Sequence, residues 1–146
     1  MQLILGAAEI DTDFNVNVTT GATGAILGGS GGHADTAAGA KLAIVTTRVN
    51  AGNFPKVVER VGVITTPGES IDVLVTDAGV AVNSRRPDLA ERLVAAGLPV
   101  VPISALCEEA RTRAGRPTPP PPSGRIVAVV EYRDGTGIDV VRAMQG

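Results

Sequence analysis

The sequence predicts a mixed-sheet α/β domain. Three features carry that expectation: β-branched runs of strand length recur, two amphipathic stretches show helix start and stop signals, and two late apolar runs flank an Asp-Gly turn. Its 146 residues read as one domain over 1–146, a length that buries about 70% of the unfolded surface without staples. Hydrophobic residues are 44% and charged residues 19%, which excludes wholesale disorder. The aromatics are Phe14, Phe54 and Tyr132, so the core is to be built from Val, Ala, Ile and Leu.

In chain order, residues 8–18 alternate as a strand does, with Ile10, Phe14, Val16 and Val18 apolar. Gly21-Ala22-Thr23-Gly24 is turn chemistry, and 25–27 reads as a short returning strand. Residues 35–38 predict a brief helix, capped by Asp35 and ended by Gly39. Residues 41–48 form a strand and 50–54 a loop, and short strands at 71–76 and 80–82 flank Asp77-Ala78-Gly79. Pro87 suits the first position of a helix whose stripe is Leu89, Leu93 and Val94, with Gly97 in the stop position. Ser104 is placed to cap a second helix. Pro117 and Pro119 to Pro122 predict an extended connector over 117–122. Residues 125–133 and 137–142 then pair as a hairpin around Asp134-Gly135.

Composition also narrows function. The lone Cys107 excludes an intramolecular disulfide framework and a cysteine zinc cluster, and the lone His33 excludes a multi-histidine site, so no metal is expected. A net charge of −2 leaves no footprint for nucleic acid. Residues 93–106 are too short for a membrane span and are interrupted by Pro99 and Pro102. No basic region precedes Leu3-Ile4-Leu5. The expected setting is therefore cytoplasmic, without a membrane partner.

The densest chemistry is glycine. Six glycines fall between Gly21 and Gly32, leading into the brief helix. Glycine admits positive φ and close ligand approach, and successive N–H groups in such a loop, next to a helix start, form an anion-binding nest. A glycine-rich bend packed on a strand fits the composition equally well. Gly29-Ser30-Gly31-Gly32-His33-Ala34 formally fits a dinucleotide pattern, yet 49–52 is neutral where ribose recognition needs an acid. The phosphate-loop pattern fails too, because Leu42 follows Lys41 where a hydroxyl is required.

Three blocks identify a resemblance: Ala8-Glu9-Ile10-Asp11, Asp13-Phe14-Asn15-Val16-Asn17-Val18, and the run Ser30-Gly31-Gly32-His33-Ala34-Asp35-Thr36-Ala37-Ala38-Gly39-Ala40-Lys41. They resemble the citrate lyase alpha subunit family, and the likeness continues through Thr65-Thr66-Pro67-Gly68, residues 71–76, Gly79 to Asn83, Arg85-Arg86 and 129–135. It covers essentially the whole chain, matching the C-terminal part of a longer subunit. The resemblance implies a coenzyme A transferase-like α/β fold. It also implies transfer of citrate onto the thioester arm of an acyl carrier protein, with acetate displaced. The thioester of coenzyme A or phosphopantetheine is then a substrate, with no covalently bound cofactor. The implied partners are the N-terminal half of the alpha subunit, the carrier protein and the lyase beta subunit. Another acyl-CoA transferase or hydrolase, or a non-catalytic assembly domain, are the alternatives.

On that resemblance, Gly31, Gly32 and His33 are the catalytic candidates, with Ser30 beside them, chiefly as backbone donors to a thioester oxyanion. His33 is read as orienting or carboxylate-binding ahead of general base. Asp35 serves better as a cap than as a proton donor. Asn15 and Asn17 could present amides to the cleft, or be ordinary strand residues. Lys41, Arg48, Arg85 and Arg86 could meet substrate carboxylates or the carrier phosphate, or be solvated surface. Cys107 is read as packing, and Glu9 as structural.

Overall fold

The computed structural model describes residues 1–115 and 124–144; the 117–122 connector lies outside them. The chain runs β1 (Gln2–Gly6), β2 (Glu9–Asp11), β3 (Val16–Asn17), α1 (His33–Gly39), β4 (Leu42–Thr46), β5 (Asn50–Ala51), β6 (Phe54–Pro55) and β7 (Val57–Val58). A 3-10 turn (Gly68–Ser70) precedes β8 (Val73–Thr76) and β9 (Gly79–Val82). Then follow α2 (Pro87–Ala95), α3 (Ile103–Ala114), β10 (Ile126–Glu131) and β11 (Gly137–Arg142).

The main sheet has the order β1-β4-β8-β9. β1, β4 and β8 are parallel and β9 returns antiparallel, so the sheet is mixed as expected. Strand periodicity sends alternate residues to opposite faces. Leu42, Ile44, Val73, Val80 and Val82 meet Leu89 and Leu93 of α2 on one face. Ala43, Val45, Leu74 and Ala81 face the other side, with Leu106, Cys107 and Ala110 of α3 and Ala37 of α1. These are small aliphatic side chains interdigitating between layers. Both faces are therefore covered over β4, β8 and β9, whereas on the α2 face the edge strand β1 leaves Ile4 68% exposed.

Four local expectations are corrected. Residues 8–18 are a tight hairpin, because the Asp11 carboxylate accepts hydrogen bonds from the N–H groups of Asp13 and Asn15 at 3.0 and 2.9 Å and turns the chain. Phe14 sits in that turn at φ 65°, among the described residues the one non-glycine with positive φ, held there by burial in the core. Asp35 does not cap α1, which starts two residues earlier with Gly32 at the cap position. Ser104 lies inside α3, whose cap position is Pro102. Residues 50–54 form the small β5–β6 hairpin rather than an irregular loop.

Gly68 is where fold and site meet. A Cβ there would collide with the Asp13 carbonyl, so the 3-10 turn can press against the β2–β3 hairpin only through a glycine. Asn15 completes the joint: its side-chain carbonyl accepts from Gly68 N–H at 2.9 Å, while its amide donates to Asp11 at 3.3 Å.

Candidate functional site

After β1 and the β2–β3 hairpin, the glycine loop delivers α1 beside the C-terminal end of β1, where His33 Nε2 lies 3.0 Å from the Gly6 carbonyl. α1 then runs back to the start of β4, where Lys41 N–H donates to Met1 carbonyl at 2.9 Å. The loop therefore lies at the carboxyl edge of the parallel strands, the edge where open α/β sheets bind ligands. Gly28, Gly29, Gly31 and Gly32 are exposed and Ser30 is half-buried. Among the described residues, the N–H groups of 28–32 donate to no protein group. Gly31 has φ 54°, the left-handed region that favours glycine, and nothing lies within 4 Å of where its Cβ would stand. Gly32, by contrast, has φ −92° and has room for a side chain, with only Thr36 Cγ2 at 4.0 Å. The conformational demand thus falls on Gly31, and Gly32 matters only for access.

His33 opens α1 and is pinned from both sides. One ring nitrogen, Nε2, lies 3.0 Å from the Gly6 carbonyl, and the other, Nδ1, lies 2.7 Å from the Thr66 hydroxyl. A carbonyl can only accept, so Nε2 carries the proton and donates; Nδ1 then accepts from Thr66 O–H. Burial lowers the imidazole pKa below its ordinary 6.5, against a smaller opposing effect of the Gly6 bond. The ring is neutral at pH 7 with both nitrogens engaged. Taking up a substrate proton would require the Thr66 bond to break. In the sequence Thr66 stands out only as part of the block Thr65-Thr66-Pro67-Gly68. Its role is visible through a buried hydroxyl aimed at the single histidine.

The two asparagines are joints. Asn17 is fully buried: its amide donates to Glu9 Oε2, Thr20 carbonyl and Thr20 Oγ1 at 3.0, 3.0 and 2.9 Å. Its oxygen accepts from the N–H groups of Thr19 and Thr20, each at 3.0 Å. No valence remains for a ligand, so of the two readings the amide presented to a cleft is corrected: Asn17 is a buried strand residue that ties Glu9 to the turn at Thr19 and Thr20. Glu9 is buried in the same network and also accepts from Gly62 N–H at 3.2 Å. Cys107 is buried in α3, and burial, followed by the nearby Glu59 carboxylate, pushes its thiol pKa up, away from nucleophile chemistry.

The basic residues divide between the two ends of the sheet. β9 runs antiparallel, so Arg85 and Arg86 emerge beside the start of β4, and Arg86 Nη1 reaches the Lys41 carbonyl at 3.5 Å. Lys41, Arg85 and Arg86 therefore gather at the amino edge. Five-residue β4 separates that edge from the loop by roughly 16 Å, too far for one small carboxylate to touch both. Arg86 is moreover spent on Asp88 at 3.1 Å and Asp72 at 2.9 Å, and Arg85 lies 3.8 Å from Glu69. The distance separates these three from a carboxylate bound at the loop and does not bear on the carrier phosphate. Arg48, two residues beyond the end of β4, is exposed at the carboxyl edge instead. Asp35 is exposed in the first turn of α1, on the loop's side.

The family model described as citrate lyase, alpha subunit, matches residues 2–144. The chain belongs to the citrate lyase alpha subunit family. It is 52% identical over 143 residues to the citrate lyase alpha chain of Klebsiella pneumoniae, covering 98% of this chain. It is 51% identical, over the same length, to that of Escherichia coli strain K12. The chain spans 28% of the length of these relatives. A crystal structure of the alpha subunit of citrate lyase from Streptococcus mutans, in complex with citrate, superposes with a TM-score of 0.96 at 45% identity, over 100% of this chain and 29% of that one. The mixed α/β architecture is thus that of the matched part of a citrate lyase alpha subunit. Among the described residues, no helix is long and apolar enough to cross a membrane.

Proposed function

We propose that this chain supplies the oxyanion-stabilising half of an acyl-exchange site, in a coenzyme A transferase-like fold. The site transfers citrate onto the thioester of an acyl carrier protein and displaces acetate. One observation carries the reading. Among the described residues, the backbone N–H groups at 28–32 have no protein partners at the carboxyl edge of the sheet, and four of the five residues are glycines with room where a Cβ would stand. Exchange at a thioester develops negative charge on the acyl oxygen, and fixed donors aimed at that oxygen stabilise the charge where it forms. Ser30, Gly31 and Gly32 provide such donors through their backbone. His33 N–H is bonded to the Ser30 carbonyl at 3.2 Å, so His33 acts instead through its neutral imidazole, which Gly6 and Thr66 lock beside the loop. Arg48 is the cation on the right side to meet a citrate carboxylate.

Coenzyme A or phosphopantetheine enters as a thioester substrate. The remaining catalytic groups come from the N-terminal half of the alpha subunit, and the carrier protein and beta subunit complete the cytoplasmic assembly. Proximity across two walls accounts for much of the rate of such reactions. An acyl-exchange assay with acetyl-thioester and citrate tests this, comparing the chain alone with a full-length alpha chain that contains it. The full-length chain exchanges and the chain alone does not. Sustained turnover by the chain alone at the full-length rate would show that it holds a whole active site.

A further inference from the structure

The β10–β11 hairpin is far more apolar than its exposure allows. A strand with one wet face alternates, whereas β10 reads Ile126-Val127-Ala128-Val129-Val130 without a break, the pattern of a strand buried on both faces. Yet Ile126, Val127 and Val129 are 51%, 46% and 62% exposed. Among the described residues β10 pairs only with β11, so its other edge is open, with no charged side chain before Glu131. An open apolar edge of this kind invites another strand or surface. β11 is the anchored member: Val141 is buried, and the Asp139 carboxylate accepts from Ile64 N–H at 2.7 Å. On its inner side β11 lines an apolar cleft of about 750 Å³ with Val58, Val61, Ile64, Val140 and Met144 in its walls.

We infer that the β10–β11 hairpin, together with the cleft that β11 lines, is the surface on which the remainder of a full-length alpha chain seats. The occupant follows from length. The same hairpin superposes in a relative of which this chain covers only 29%, so in that molecule a much longer polypeptide lies beyond the matched part. The inference rests on the proposed half-site and deepens it by naming the face through which the other half is held. β10 itself lies on a separate sheet from the strands that carry the 28–32 loop, while Ala22 and Gly24 line the cleft beside Met144. Exposed consecutive apolar residues stabilise only when covered, which makes their effect dependent on the rest of the chain.

Hydrogen exchange of the β10 amides, compared between the 146-residue chain and a full-length alpha chain containing it, reads the seat directly without any assay of activity. The outward amides of β10 are expected to slow by roughly 100-fold or more in the full-length chain. Val129→Lys is expected to leave the melting temperature of the short chain unchanged and to lower that of the full-length chain. Equal exchange in both contexts, or a Val129→Lys change silent in both, would overturn the inference. Two further outcomes would also overturn it. One is dimerisation of the short chain that Val129→Lys abolishes while the full-length β10 stays unprotected, which makes a second copy the occupant. The other is protection of residues 58–64 by added coenzyme A with β10 unprotected, which makes the cleft a ligand pocket.

Discussion

The two edges of the main sheet treat charge in opposite ways. At the amino edge Arg86 is bonded to Asp88 and Asp72, contacts that raise its pKa further above the ordinary arginine value. Asp72 in turn accepts from Ala43 N–H at 2.8 Å through its other oxygen, so this ion pair fastens the start of α2 to β4. At the carboxyl edge the donors are backbone N–H groups that have no partners among the described residues, next to a histidine that is neutral and fully bonded. Charge consumed in folding one edge is unavailable to a substrate, whereas uncommitted dipoles at the other edge are free for one. A basic pair in a sequence therefore says less about anion binding than whether carboxylates fold onto it.

Substitutions at each edge should separate activity from stability. His33→Gln retains polarity but abolishes the imidazole. Because both ring nitrogens are engaged, acyl exchange in a full-length alpha chain should fall by less than about 100-fold, short of the usual loss for an essential acid–base group. A loss of about 10,000-fold at unchanged citrate affinity would instead make His33 the general base. Arg86→Ala should lower the melting temperature by freeing the Asp72 carboxylate while leaving the citrate KM unchanged; a raised KM would return the amino edge to the site.

A pH titration of stability sharpens the histidine side. With its folded pKa below 6.5, His33 is protonated more readily in the unfolded chain. Its contribution is complete above that pH and is lost as pH falls through the folded pKa. Thermal melts of the wild type should show stability declining as pH drops below about 6.5, and His33→Gln should flatten that step; an unchanged step would mean that other groups produce it. The smallest effect belongs to Arg85→Ala, whose exposed 3.8 Å contact with Glu69 is too weakly held to register in either melting temperature or exchange rate.

Much of the fold is legible in the sequence because its signals are local. Pro87 and Gly97 bracket α2, Asp134-Gly135 turns the final hairpin, and the aliphatic runs give β4, β8 and β9. The β2–β3 hairpin was not legible: its turn has no glycine or proline, and depends on Asp11 satisfying two backbone donors while core burial holds Phe14 at positive φ. The helix starts were misplaced for a related reason. α1 and α3 begin without side-chain caps, so the capping residues Asp35 and Ser104 fall inside them. At the site, the glycine cluster marks its own position, but the partition of Lys41, Arg85 and Arg86 from it follows from strand direction. Strand direction is a property of sheet pairing that spacing along the chain does not encode.

Gly32→Val tests the central claim, that the carboxyl-edge loop serves substrate and not folding. Its φ is ordinary for an L-residue and its Cβ meets only Thr36 Cγ2 at 4.0 Å, so stability should change by no more than about 0.5 kcal/mol. The bulk would nevertheless stand in the path to the loop N–H groups. Acyl exchange measured in a full-length alpha chain carrying Gly32→Val should fall by at least about 100-fold, the usual loss when one oxyanion donor is removed, with the melting temperature unchanged. Normal exchange at normal stability would contradict the account and remove the loop from the mechanism.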